Sequence, residues 1–428
     1  MDARSSSSEG GGSGVGYRAQ VLDPPSAVDP ADNHGGIQRC ACASPVLSHP
    51  FGARVLLAKF VDHAASTEAP AVLFTNSAMP RLSLAELHTL CLRALRAHGL
   101  REPSARLVAK SLTAAEASGS HSHGVFRLQG YCEALQTGRV DGRAEPVLES
   151  PAGAATVLVN AQGSFAPAAL DLAVPALAAA AKQHGVAACA VRNTFHFAAL
   201  WPEAEALAER GLLALATVNS KAFVANASGG PAVFGTNPIA FGCPRGGSLP
   251  PLVFDQACSV MARGDVSLAA RDGRPLAEGV GLDRAGAPSL DAAAVLDGGV
   301  LLPFGAPAAA HKGANLALMV ELLAGALTRS PLGIEALEAD PAWFGPTRHG
   351  ELMVALDPAA FGGDGFLERV EALCAALQGA EGARLPGARR AECHARAERE
   401  GVELPQALHR QAIELGERRV DTNTDEET

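Results

Sequence analysis

Five short segments of the 428-residue chain carry residue types that can move protons or hold anions. The first is Ser122-His123-Gly124, a loop between two helical patterns, with Arg127 one turn further on. A histidine there can exchange protons near neutral pH, and the serine beside it can orient or relay. Arg127 offers a planar fork matched to a carboxylate. The same spacing also reads as a helix start, with Ser122 capping, His123 solvated and Arg127 on the surface. The second is Asn193-Thr194-Phe195-His196-Phe197, directly after an apolar strand over 186–191. Residues just past the carboxyl end of a strand are where α/β proteins place their sites; a histidine between two phenylalanines is as readily a core residue. The third begins where a strand over 212–218 stops in Asn219-Ser220, followed by Gly229-Gly230 and Gly235-Thr236-Asn237-Pro238. Such turns expose backbone amides that can hold phosphate or carboxylate. Asp255 closes a strand over 252–254 and either fixes a histidine's tautomer, as the third member of a relay does, or caps a helix. Last, His311-Lys312-Gly313 precedes a helix over 314–327, whose N-terminus and lysine suit a phosphate. A solvated lysine in a turn is the other reading.

The elements that must position these segments are legible in the apolar pattern. Ser83-Leu84-Ala85-Glu86 is a capping box, and Leu84, Leu87, Leu90, Cys91, Ala94 and Leu95 form an apolar stripe behind it. Helices are expected over 104–117 and 125–135, before the texture changes near Ala154 to alternating strand and helix. There, strands are expected over 156–159, 186–191, 212–218, 239–241, 252–254 and 352–356, with helices over 168–184 and 202–210. Helices return after that. The expected fold class is mixed α/β. Residues 81–150 with 345–420 form a helical domain, and residues 151–344 form a central α/β domain that binds cofactor and substrate. Residues 1–80 are a low-complexity leader and 421–428 an acidic tail.

Composition narrows the function classes. The formal charge of −10 argues against a protein built to neutralise phosphates of a nucleic acid. No apolar run reaches the roughly 18 residues of a membrane helix. Nine cysteines are scattered without a Cys-x-x-Cys pair, so neither a zinc ribbon nor a disulfide framework is indicated, and a reducing, cytoplasmic setting fits. Organellar targeting by the leader stays open. No Walker A, Gly-x-Ser-x-Gly elbow or His-Glu-x-x-His pattern occurs, and nothing supports a metal.

Taken in order, these segments resemble the malate/L-lactate dehydrogenase family of NAD(P)-dependent oxidoreductases, a non-Rossmann family. The markers are SHGVFRLQGY from Ser122, NTFHF from Asn193, GTNPIAF from Gly235, VFDQACS from Val253, LLPFG from Leu301, HKG from His311 and RLPGARR from Arg384. The run from His196 to Pro202 and the LLPFG segment look most like Δ1-piperideine-2-carboxylate/Δ1-pyrroline-2-carboxylate reductases. That resemblance implies a homodimer that reduces a cyclic imino acid with NADPH, NADH being the alternative. A 2-oxo acid is the alternative substrate, and a non-catalytic small-acid-binding protein is the reading from another class. It implies His123 as proton donor with Ser122 and Asp255 completing a relay. Arg127 is implied on the substrate carboxylate, and His196, Thr236 and Asn237 near the substrate. The cofactor falls to His196, Asn219, Ser220, Gly235, His311, Lys312 and Gly313. His121 stands where many members have aspartate, and residues 306–310 look like an insertion before HKG.

Overall fold

The computed structural model describes residues 79–417, apart from 228, 342–346 and 381. The leader through residue 78 and the acidic tail lie outside the described residues, and among the described residues no helix is long and apolar enough to cross a membrane.

The helical part joins both ends of the described chain. In the capping box, the Glu86 carboxylate accepts the Ser83 amide at 2.8 Å and the Ser83 hydroxyl accepts the Glu86 amide at 3.3 Å. Two otherwise orphaned amides of the first turn are thereby satisfied. Helix Leu84–Ala97 then buries Leu87, Cys91, Ala94 and Leu95 against helices Ser104–Ala117 and Gln406–Glu417. Strand Arg81–Leu82 pairs antiparallel with Val402–Glu403, so the two ends of the described chain close one core. Truncating one of its fully buried leucines costs about 2–5 kcal/mol.

The central part is built on a seven-stranded mixed sheet. In spatial order its strands are Val147–Leu148, Thr156–Asn160, Val186–Phe195, Arg348–Leu356, Leu213–Val218, Ile239–Cys243 and Leu252–Gln256. The one parallel pair in it, Thr156–Asn160 with Val186–Phe195, is connected through helix Ala166–His184. A parallel pair needs such a crossover, whereas antiparallel neighbours do not. Alanines at 169, 173, 181, 187, 204, 214 and 216 let helices and sheet approach closely, around a core of Leu177, Leu200, Leu207 and Met353.

Three features depart from expectation. Residues 348–356, grouped by sequence with the helical segments, form the strand between Val186–Phe195 and Leu213–Val218. A second sheet of five short strands was not foreseen: Pro288–Ser289, Gly281–Leu282, Val300–Leu301, Val224–Asn226 and Gly229–Phe234 in spatial order. It covers a small core of Phe223, Val224, Val266, Val280, Val295 and Leu301. The expected 314–327 helix starts earlier, at Ala310, and passes at Glu321 into a π-turn, Glu321–Ala326.

Candidate active site

Helix Ser104–Ala117 ends before Gly119, and the chain makes two short turns, His121–His123 and Val125–Arg127, before helix Leu128–Gln136. The Ser122 hydroxyl lies 3.0 Å from His123 Nδ1. Arg127 folds back to donate from Nε to the Ser122 carbonyl at 2.7 Å, so serine, histidine and arginine form one unit. Gly264, at the start of helix Arg263–Arg271, admits this packing: a Cβ there would fall 2.5 Å from Arg127 Nη2.

Strand Val186–Phe195 runs four residues further than the apolar pattern indicates, leaving His196 as the first residue beyond it. His196 adopts a left-handed conformation, φ +53°, a costly backbone state that is concentrated at functional positions. Its amide donates to the Thr347 carbonyl at 3.0 Å, and its Nδ1 lies 2.7 Å from the Tyr131 hydroxyl. Burial pushes the Tyr131 phenol up, so it stays protonated and can donate to or accept from this nitrogen.

One pocket gathers these groups. Its lining includes His123, Arg127, His196, Ser220, Lys221, Thr236, Arg263 and His349. Three cationic side chains and three imidazoles contribute, and among the described residues no carboxylate lines it. A cleft of this sign draws in and holds an anionic ligand.

The imidazoles respond to that setting. Burial, then the charge of Arg127, lowers His123 to about 3. Burial, then Lys221, does the same to His349, again to about 3. Burial, followed by Arg127, His123 and His349, holds His196 well below its ordinary value. Elsewhere in the core, burial, with the charge of Asp255, raises Glu203 to about 8, and burial, with the charge of Glu203, pushes Glu351, which is 0% exposed, well above the carboxylate range. Above about pH 6.5 the three lowered imidazoles are neutral in both the folded and the unfolded chain, whereas Glu203 and Glu351 keep protons that the unfolded chain has lost, so stability falls toward pH 8. Calorimetric Tm should therefore fall between about pH 6.5 and 8, and Glu351→Gln should flatten that fall.

Several expected site residues stand elsewhere. Asp255 does not line the pocket; its Oδ2 accepts the Leu200 and Trp201 amides at 2.7 and 3.2 Å, capping helix Trp201–Glu209. The relay of Ser122 and His123 therefore has no contact with Asp255, because the carboxylate is occupied by the orphan amides of a helix start. Asp255→Ala should cost about 1–2 kcal/mol of stability in denaturant titration and leave the pH profile of turnover in place. Asn237 is also off the lining. Its amide donates to Glu321 Oε1 and the Ala317 carbonyl, both at 3.0 Å, and its Oδ1 accepts from the Ser220 amide at 3.1 Å. The Asn219 side chain is spent on Glu321, the Pro331 carbonyl and the Gly350 amide, although the residue borders the pocket. Both asparagines are held by Glu321 in the π-turn. Gly235 packs under Ser220, where a Cβ would fall 2.1 Å from the hydroxyl. His311 and Lys312 are exposed at the start of helix Ala310–Val320, and Gly313 is buried against Phe304; none of the three lines the pocket.

Sequence reasoning did not single out Tyr131, Lys221, Arg263, Thr347 or His349. Tyr131 had a usable signal, since it lies four residues after Arg127 and so on the same helical face. Lys221 donates through its amide to His349 Nε2 at 3.3 Å and through its ammonium to the Asp340 carbonyl. That contact joins parts of the chain that no local pattern connects.

A family model described as malate/L-lactate dehydrogenase matches residues 82–412. A Δ1-pyrroline-2-carboxylate/Δ1-piperideine-2-carboxylate reductase of Pseudomonas aeruginosa is 44% identical over 340 residues, 79% of this chain and 99% of the relative. A reductase of the same name from Pseudomonas syringae pv. tomato is 44% identical over 326 residues, 76% of this chain and 93% of the relative. The crystal structure of Δ1-piperideine-2-carboxylate reductase from that organism superposes with a TM-score of 0.73 at 42% identity, covering 78% of this chain and 99% of that one. The chain belongs to the malate/L-lactate dehydrogenase family.

Proposed function

We propose that the protein is an NADPH-dependent reductase of cyclic 2-imino acids, converting Δ1-piperideine-2-carboxylate to L-pipecolate and Δ1-pyrroline-2-carboxylate to L-proline. The observation that carries this reading is His123 and Arg127 lining one pocket with no carboxylate among its described lining residues, in a chain similar to reductases of those two acids.

The residues present fit a nicotinamide cofactor. Ser220 and Thr236 bring hydroxyls to the same pocket as His196, and Lys221 and Arg263 supply positive charge. Lys312, exposed at a helix N-terminus, is our candidate for the cofactor phosphates, with His311 and Gly313 beside it. The bound cofactor supplies the hydride that adds to the carbon of the C=N bond.

Everything else is positioning and proton transfer by the chain. Arg127 holds the substrate carboxylate and so fixes the imine beside His123. In the free pocket burial and the Arg127 charge keep His123 neutral. A bound carboxylate neutralises Arg127, lifts one of those two causes and makes the imidazole a better proton carrier. His123, steadied by Ser122, delivers the proton to the imine nitrogen. The Tyr131 hydroxyl, bonded at Nδ1, orients His196, which borders both ligands. The working form is a homodimer, for which the exposed Leu318 and Leu322, one turn apart on the Ala310–Ala326 helical run, are an apolar face to bury.

Chiral chromatography after incubation with NADPH and each imino acid tests the reading: L-pipecolate and L-proline are expected, with NADH compared in parallel. Absence of either amino acid with both cofactors would remove it.

A further inference from the structure

Glu116 lies at the end of helix Ser104–Ala117, only 3% exposed, and does not line the active-site pocket. Its carboxylate nevertheless reaches both sides of the loop that carries His123. Oε1 accepts from His121 Nδ1 at 2.5 Å, and Oε2 accepts the Val125 amide at 2.9 Å. Between those two anchors stand only Ser122, His123 and Gly124. Gly124 is where the carboxylate presses against the chain, since a Cβ there would fall 2.1 Å from Glu116 Oε2. The loop has its own internal bonds, His123 amide to Ser120 carbonyl at 2.8 Å and Arg127 amide to Gly124 carbonyl at 2.9 Å. Glu116 is the group that ties this turn to the helix behind it.

His121, the outer anchor, is 59% exposed in its side chain. Besides Glu116, it senses Arg271 and Asp265 from helix Arg263–Arg271. It also borders a cavity with Arg81 and Glu403 from the two-stranded sheet and Arg389, Cys393, Arg396 and Glu400 from helix Ala388–Glu400. The carboxylate of Glu116 raises the His121 imidazole above its ordinary value, while burial and Arg271 oppose this.

We propose that Glu116 is a positioning residue that holds the His123 loop from behind, and that protonated His121 tightens this grip, so that turnover weakens as His121 loses its proton. The proposal rests on the reading of His123 as proton donor.

The test compares the wild-type chain with Glu116→Gln and with His121→Gln, whose exposed position tolerates the change. NADPH oxidation with Δ1-piperideine-2-carboxylate is followed from pH 5 to 9, beside hydrogen exchange of residues 120–126 at one fixed pH. Glu116→Gln should lower kcat about tenfold with little change in KM, as loss of an outer-shell contact does. His121→Gln should remove the step in kcat that the wild type shows as His121 titrates, and both variants should exchange faster through 120–126. Wild-type kcat, pH profile and exchange in both variants would overturn the proposal. So would a Glu116→Gln loss that is equal at every pH and matched by faster exchange throughout the fold, since that marks a merely structural role. The exchange readout needs no substrate: faster exchange in the variants with no wild-type turnover refutes the imine reading and leaves the grip standing.

Discussion

His123→Ala should lower kcat for imine reduction by about 10²–10⁴-fold, the range lost with a positioned general acid, while NADPH binding followed by fluorescence stays near wild type. The expectation follows from where His123 sits. It is the imidazole bonded to Ser122 and adjacent in space to the arginine that folds onto that serine. His196, the other candidate donor, is engaged at Nδ1 by a phenol. Burial and the Arg127 charge set His123 to about 3 in the free protein, so the free protein carries it unprotonated at neutral pH. A substrate carboxylate raises it by neutralising Arg127. The pH dependence of kcat, which reports the complex, should therefore fall through a higher value than that of kcat/KM, which reports the free protein. In His123→Ala this fall should vanish. A variant with wild-type kcat would move the donor to another group, His196 first.

Arg127→Ala should cost about 2–5 kcal/mol, or roughly 30- to 5,000-fold in kcat/KM, the penalty for removing one partner of a desolvated charge pair. Arg127→Lys should recover little of it. A lysine keeps the charge but loses the fork, and it also loses the Nε bond that ties residue 127 to the Ser122 carbonyl. The arginine variant carries a second, independent signature. Removing its charge takes away the second cause of the low His123 value, so the His123 titration should move upward in Arg127→Ala. Histidine NMR titration reads that shift without any substrate. An unchanged KM for the imino acid together with an unmoved His123 would show that Arg127 neither binds the carboxylate nor couples to the imidazole.

Much of the helical part was legible because its signals are local. The Ser83–Glu86 capping box and the leucine stripe behind it lie within one helix, and helix Ser104–Ala117 ends where glycine follows it. The unit of Ser122, His123 and Arg127 was legible for the same reason, all three residues falling within six positions. Strand Arg348–Leu356 was only half legible. Its second half alternates, but its first half holds His349 and Glu351, polar residues that propensity does not place in the middle of a buried sheet. The second sheet was invisible because four of its strands are two or three residues long and show no period, and the fifth, Gly229–Phe234, opens with Gly-Gly-Pro. Asn219 borders the pocket as expected, but its side chain, like those of Asn237 and Asp255, is spent on the fold. Short polar residues at strand ends look the same in sequence whether they face a ligand or satisfy backbone. Here Glu321, in a π-turn about a hundred residues downstream, and the helix start at Trp201 had the prior claim on them.

The first measurement is absorbance at the nicotinamide band with purified protein, NADPH and Δ1-piperideine-2-carboxylate, beside pyruvate and oxaloacetate as 2-oxo acid controls. Rapid oxidation with the cyclic imine, abolished by His123→Ala, is the predicted result. Oxidation with a 2-oxo acid and none with the imine would contradict it, making the protein a hydroxy-acid dehydrogenase of the same family.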